Sequence, residues 1–199
     1  MLGHAIGLLY DPQKTWDDIA KLGSKDARKS LLGFIFMGML PAIAFYIGTT
    51  KVGWTIIGDE PVRITPESAI PLAVLFYFAL MGAVVCVGGM LSWMSSTYQS
   101  DVKYYVGVAF MGYCCTPIFL AGIAAAYPIW WLDILLATLA CGYAIRLVYI
   151  GLPKVVNIPE DQGFLFASAA FAIALVYVVV VLTATVILWE YIATPVFTN

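Results

Sequence analysis

The sequence predicts an all-α integral membrane protein: a five-helix transmembrane bundle behind a short amphipathic N-terminal helix on the cytoplasmic side. Three observations carry this reading. Of 199 residues, 62% are hydrophobic and only 11% charged, against about 25% charged in a soluble domain. The apolar residues gather into five runs, each as long as or longer than the roughly 17–25 residues that cross a bilayer core. The head and the connections between runs hold prolines, acids and most of the basic residues. The expected division is a cytoplasmic head over 1–30 and a membrane domain over 31–199, with spans at about 31–47, 68–94, 104–127, 129–152 and 164–192.

In the head, Leu2, Ile6 and Leu9 lie at helical spacing, and Asp11-Pro12 supplies a cap followed by proline at the first helical position. Trp16, Ile19 and Ala20 then share a face, with Gln13, Lys14, Asp17, Asp18 and Lys21 on the others. Such a helix lies in the headgroup layer, with Trp16 and Ile19 as its interfacial residues, or docks on the bundle. Gly23-Ser24 ends it. The first apolar run begins near Leu31 behind this charged head with no cleavage site, so span one is expected to double as the insertion signal.

Span one is interrupted by Pro41, where a kink is expected. The following loop, Gly48 to Ser68, carries Lys51, Trp54, Asp59, Glu60, Arg63 and Glu67, and Thr65-Pro66-Glu67 reads as the start of the next helix. Span two is long enough to require tilt, or a bend at Gly88-Gly89. Span three, Tyr104 to Tyr127, has Gly112-Tyr113-Cys114-Cys115-Thr116-Pro117 in its middle, about 12–20 Å from its inner end at ~1.5 Å per residue. Pro117 cannot donate to the carbonyl of Tyr113, so the helix should open between them. Thr116 can bond back one turn. Pro128 turns the chain into span four, and Ile158-Pro159-Glu160-Asp161 precedes span five.

Basic residues give the orientation. With the N-terminus inside, Lys14, Lys21, Lys25, Arg28, Lys29, Lys103 and Lys154 are cytoplasmic and only Lys51 and Arg63 are outside. An odd number of spans puts the C-terminus on the periplasmic side.

Chemistry-bearing residues inside the apolar runs are few. Gly112, Tyr113, Thr116 and Pro117 form either a midplane polar site of the kind transporters build on broken helices, or a kinked packing helix. Asp133, Arg146 and Glu190 are the intramembrane charges. Asp133 and Glu190 share a depth near the outer surface, and Arg146 lies where it can snorkel inward or pair with Asp101 or Glu160. Asp133 and Arg146 are too far apart, about 20 Å along one helix, to meet. Small residues at four-residue spacing, Ala121/Ala125, Gly122/Ala126, Ser168/Ala172 and Ala170/Ala174, allow close helix packing within the chain or between copies. His4 is the sole histidine, which excludes HExxH zinc sites and Ser/His or Cys/His dyads in the spans. Cys114 and Cys115 have no cationic neighbour and read as small apolar fillers. No catalytic, cofactor-binding or metal site is expected. A net charge of −2 without a basic tract gives nucleic acid nothing to bind.

The layout of a cytoplasmic head with Leu9-Tyr10-Asp11-Pro12 followed by five clustered spans, and Gly112-Tyr113 followed by Thr116-Pro117 in the third, resembles the Yip family of Ypt/Rab-interacting membrane proteins. The stretches Ile47-Gly48-Thr49-Thr50 with Gly53-Trp54, Ala73-Val74-Leu75-Phe76-Tyr77, Tyr127-Pro128 and Ile187-Leu188-Trp189 are similar to its bacterial YohC-type inner-membrane branch. The resemblance implies a bacterial inner membrane location and, through the eukaryotic relatives, a traffic-like role with GTPase and membrane-protein partners. The head lacks the long acidic N-terminal domain of those relatives, which argues against GTPase binding. The expected function is therefore non-enzymatic, through helix-mediated association with itself or partner membrane proteins in the lipid bilayer. The alternative is a small transporter or channel whose site lies beside the third span.

Overall fold

A computed structural model describes residues 2–22, 24–55, 61–98, 100–191 and 194–198. Among them are eight α-helices: α1 (Leu2–Tyr10), α2 (Pro12–Ala20), α3 (Ser24–Ile47), α4 (Pro66–Met94), α5 (Tyr104–Cys114), α6 (Thr116–Ala121), α7 (Trp130–Val156) and α8 (Glu160–Tyr191). Four of these, α3, α4, α7 and α8, are long and apolar enough to cross a membrane, and α5 with α6 and its 3₁₀ extension forms a fifth, bent by 44°. The chain is an all-α membrane bundle. Gly23, Asp59, Glu60 and Ile192, which the sequence reading placed in a helix end, a loop and the last span, lie outside the described residues.

Local chemistry sets the element ends. Asp11 caps α2 by accepting from the Lys14 amide at 3.2 Å, with Pro12 opening the helix. Thr65 and Pro66 open α4 with Glu67 in its first turn. Asn157 ends α7 in the left-handed region at φ 56°, a conformation asparagine tolerates better than other non-glycine residues.

The prolines inside spans behave differently from one another. At Pro41, where a kink is expected, α3 stays helical, and the buried ring seats against Gly122, where a Cβ would strike it. Pro153 also lies within its helix, which continues to Val156. Only at Pro117 does the chain break, with Cys115 as the hinge between α5 and α6. After Ile47, α3 unwinds into a wide turn over Gly48–Val52, whose Thr49 and Thr50 hydroxyls bond to the Phe45 and Tyr46 carbonyls at 2.8 and 2.7 Å.

Helices α4 and α5 approach closely at the backbone. A Cβ on Gly88 would sit 2.5 Å from the Val108 Cα and 2.7 Å from the Gly107 carbonyl oxygen. Glycine here permits a crossing of the small-residue kind that lipid-embedded helices use, and α4 runs unbroken through Gly88-Gly89.

The principal core is built from Trp16, Phe34, Leu91, Phe110, Tyr113, Leu147, Leu152 and Phe166, joining both head helices' end of the bundle to α3, α4, α5, α7 and α8. At the other end, a two-residue strand β1 (Arg63–Ile64) pairs antiparallel with β2 (Phe197–Thr198), fastening the last residues to the α3–α4 connection. Trp54 adds an edge-on contact to Phe197. The head and the C-terminal strand thus occupy opposite ends of the bundle.

Two glycines separate packing from helix propensity. Gly88→Ala should cost about 1–3 kcal/mol, because the added methyl has only backbone to displace. Gly142→Ala, where nothing lies within 4 Å, should leave stability unchanged or slightly raised. Unfolding midpoints of the two variants in detergent check this.

Candidate functional site

The residues singled out in span three occupy the most deeply buried stretch of the chain, since every side chain from Gly107 to Pro117 is buried. Gly112 faces α3, and any side chain there would run into the Phe34 ring. Tyr113 is 1% exposed. Its ring meets Phe34 edge-on with centroids 4.8 Å apart, and Trp16 and His4 edge-on at 6.3 Å each. Its hydroxyl lies 2.8 Å from Ser30 Oγ. Ser30 donates its single proton to the Asp26 carbonyl at 3.0 Å, so the phenol is the donor in the Tyr113–Ser30 bond. Thr116 Oγ1 bonds back to the Gly112 carbonyl at 3.4 Å.

Trp16 completes this cluster from above. It is 0% exposed, lies 4.9 Å from Phe110 by ring centroids, and fills the space left by the missing side chain of Gly151 on α7. Ile19 is buried beside it. The apolar face of α2 is therefore spent on α5 and α7 and not on headgroups. Polar contacts hold the same junction from outside. Lys154 pairs with Asp17 at 2.7 Å and donates to the Gln13 carbonyl at 2.8 Å. Tyr143 donates to the Leu8 and Leu9 carbonyls at 2.8 and 3.2 Å, which satisfies acceptors that the end of α1 leaves open.

The charged candidates are dispersed. Asp133 is half-buried in the first turn of α7, where the helix dipole favours an acid. Glu190 is exposed in the last turn of α8. Among the described residues, no hydrogen bond or ion pair joins these two. Arg146 is exposed, its guanidinium 5.5 Å from the centre of the Tyr143 ring, a cation–π distance. None of the three approaches Tyr113. Among the described residues, no group of three or more His, Cys, Asp or Glu is placed to hold a metal ion.

Residues that the sequence did not single out carry much of the junction: Ser30, Tyr143, Gly151 and the Lys154–Asp17 pair. The signal available for Gly151 was a glycine inside the apolar run of span four. For Ser30 it was a hydroxyl at the membrane edge of span one.

On its far flank, span three borders a different space. A cavity of about 380 Å³ lies between α4, α5, α7 and α8, with Cys114 and Cys115 in its wall. Its lining is carbon and sulfur. Two tyrosines border it, with Tyr177 donating to the Ala79 carbonyl at 2.7 Å and Tyr149 hydrogen-bonded to Ser168 Oγ at 3.0 Å.

The small-residue faces are used in part inside the chain, while Ala172 is exposed. Gly122 receives Pro41, the Ala125 carbonyl abuts Gly48, Ala170 is buried, and Ala174 lines the cavity.

The Tyr113–Ser30 bond has an asymmetry that can be measured. Tyr113→Phe removes a donor while Ser30 keeps its Asp26 partner, at about 1 kcal/mol. Ser30→Ala strands a buried phenol, at about 1–3 kcal/mol. Combining them should cost less than the sum. Unfolding titrations of the two single variants and the double variant read this out.

Comparison with known proteins agrees with this architecture. A family model described as the Yip1 domain matches residues 6–182. Over 190 residues, 96% of the chain and 97% of the relative, the sequence is 32% identical to "Inner membrane protein YohC" of Escherichia coli K12. The protein of the same name from Escherichia coli O6:H1 strain CFT073 matches equally, at 32%. No solved structure matches the chain.

Proposed function

The chain belongs to the Yip family, and from that premise we propose that it is a non-enzymatic inner-membrane protein acting by helix-mediated association with itself or with partner membrane proteins. The observation that carries this reading is α8. It packs on α4 and α7, yet none of its most apolar stretch is buried inside the chain. Val176, Val179, Leu182 and Val186 are each more than 60% exposed. A fully sealed fifth span would have no surface to offer a neighbouring helix. This one offers most of its length.

The interior supports association over transport. A solute path beside span three would need water or polar groups reaching Tyr113. That phenol is instead buried and satisfied by Ser30, and the cavity on the other flank has an apolar wall. The head supports the same view of its partners. Its tryptophan face is occupied by the bundle, and what it leaves outward is the apolar edge of α1, with Leu2, Ile6 and Leu9 exposed, which suits a membrane setting, beside the polar side of α2.

In this reading the N-terminus is cytoplasmic and the C-terminus periplasmic, with Lys154 beside the head at the inner surface. Arg63 sits beside the C-terminal strand at the outer surface.

Two measurements test the proposal. Isolation from native membranes in mild detergent should recover an oligomer or a complex with other membrane proteins, whereas a lone monomer contradicts it. Reporters fused at the two ends should show cytoplasmic activity at the N-terminus and periplasmic activity at the C-terminus. Both ends on one side would overturn the orientation.

A further inference from the structure

We propose that the cavity between α4, α5, α7 and α8 seats one hydrocarbon chain of a membrane phospholipid, taken in sideways from the bilayer. The proposal is independent of the association reading, because it concerns the recess behind α8, walled by α5, and not the outer face of α8.

Three properties of the cavity specify its occupant. The first is its wall: Val87, Cys114, Cys115, Ala144, Val148 and Ala174 present carbon and sulfur. The hydroxyls of the bordering tyrosines are spent on Ala79 and Ser168. Water needs two to four polar partners to occupy a buried site, and an ion needs more. Neither finds them here.

The second property is position. Cys114, Cys115, Ala144 and Ala174 lie near the middle of their spans, so the cavity opens at the depth of acyl-chain ends and not of headgroups. Its mouth lies between α7 and α8, where Cys141 is exposed and Leu175 and Val178 are each 50% exposed. The material facing that mouth in a bilayer is hydrocarbon.

The third is size. At about 380 Å³, and walled by the four helices α4, α5, α7 and α8, the cavity has room for a flexible hydrocarbon chain entering end-on. The depression between α3 and α4, about 520 Å³, differs in kind. It is walled by two helices whose Met39, Ile43, Ile70, Val74 and Phe78 are exposed, and it is ordinary lipid-facing surface.

The experiment uses the full chain in nanodiscs containing a phosphatidylethanolamine with a diazirine near the methyl end of one acyl chain. After illumination, the attached lipid is located by peptide mass spectrometry. The expected result is labelling of the Met111–Cys115 stretch, which is buried from the outer surface, in addition to the exposed face of α8. A second lipid with the diazirine near its carbonyl should leave Met111–Cys115 unlabelled. Ala174→Leu and Ala144→Leu, tested separately, should each reduce labelling of that stretch by roughly tenfold, equivalent to ~1.4 kcal/mol. Labelling at Leu182 and Val186 should persist, which also reports that the variants are embedded. Wild-type labelling confined to the exposed α8 face overturns the proposal. Equal labelling of Met111–Cys115 by both lipids does so as well.

Discussion

A phenol donating to a serine hydroxyl where no water is at hand is the interaction on which the rest of the bundle depends. Polar groups inside a bilayer must find partners within the protein. Tyr113 has one candidate at hand in Ser30, at the start of span one and 83 residues away in sequence. Bringing the two together places α3 against α5, and the absence of a side chain at Gly112 lets Phe34 close the gap. Trp16 and His4 then cover the ring from the head. Because Trp16 also needs the hollow at Gly151, the same cluster draws in α7. Four elements distant in sequence are tied at one phenol.

The two flanks of span three have unlike consequences. Toward the head, aromatic rings and hydrogen-bonded hydroxyls pack closely, with Trp16 Nε1 and His4 Nδ1 buried without a partner. Toward α8, the bend at Cys115 carries α6 away at 44°, and the side chains there are too small to fill what remains. The fifth span is the least covered, held by the aromatic stack of Tyr98 on Phe166, 4.5 Å apart, and by the hydrogen bonds of Tyr149 to Ser168 and of Tyr177 to Ala79, with its outer face left open. A bundle closed tightly at one end and loosely along one helix has a surface to share with neighbours.

The sequence made the spans legible because apolar run length is a direct record of bilayer thickness. The break at Pro117 was legible for a similarly local reason, the missing amide donor. Pro41 shows where local reasoning stops. The same missing donor did not break α3, since its ring seats against Gly122 from another span and the packing holds the helix through it. Trp16 shows a second limit. Helical spacing identifies an apolar face on α2 but not what covers it, and a headgroup layer and a protein groove demand the same residues. What decides is Gly151, 135 positions later, and nothing local links the two. The Tyr113–Ser30 bond was hidden for the same reason, as each hydroxyl alone has many routine partners.

The central claim is that the N-terminal helices are part of the membrane bundle, held by Trp16 beneath and Lys154 at the rim. The most direct measurement is thiol cross-linking in native membranes of an Asp17→Cys, Lys154→Cys variant, with Cys86, Cys114, Cys115 and Cys141 replaced by alanine, using a bifunctional methanethiosulfonate reagent about as long as a lysine side chain. The Lys154 Nζ and Asp17 Oδ1 lie 2.7 Å apart, so the two positions lie within one lysine's reach and the account predicts rapid and nearly complete bridging by the reagent within one chain. A head lying free in the headgroup layer would leave the two thiols unbridged, or bridged slowly and partially, and that result would contradict it.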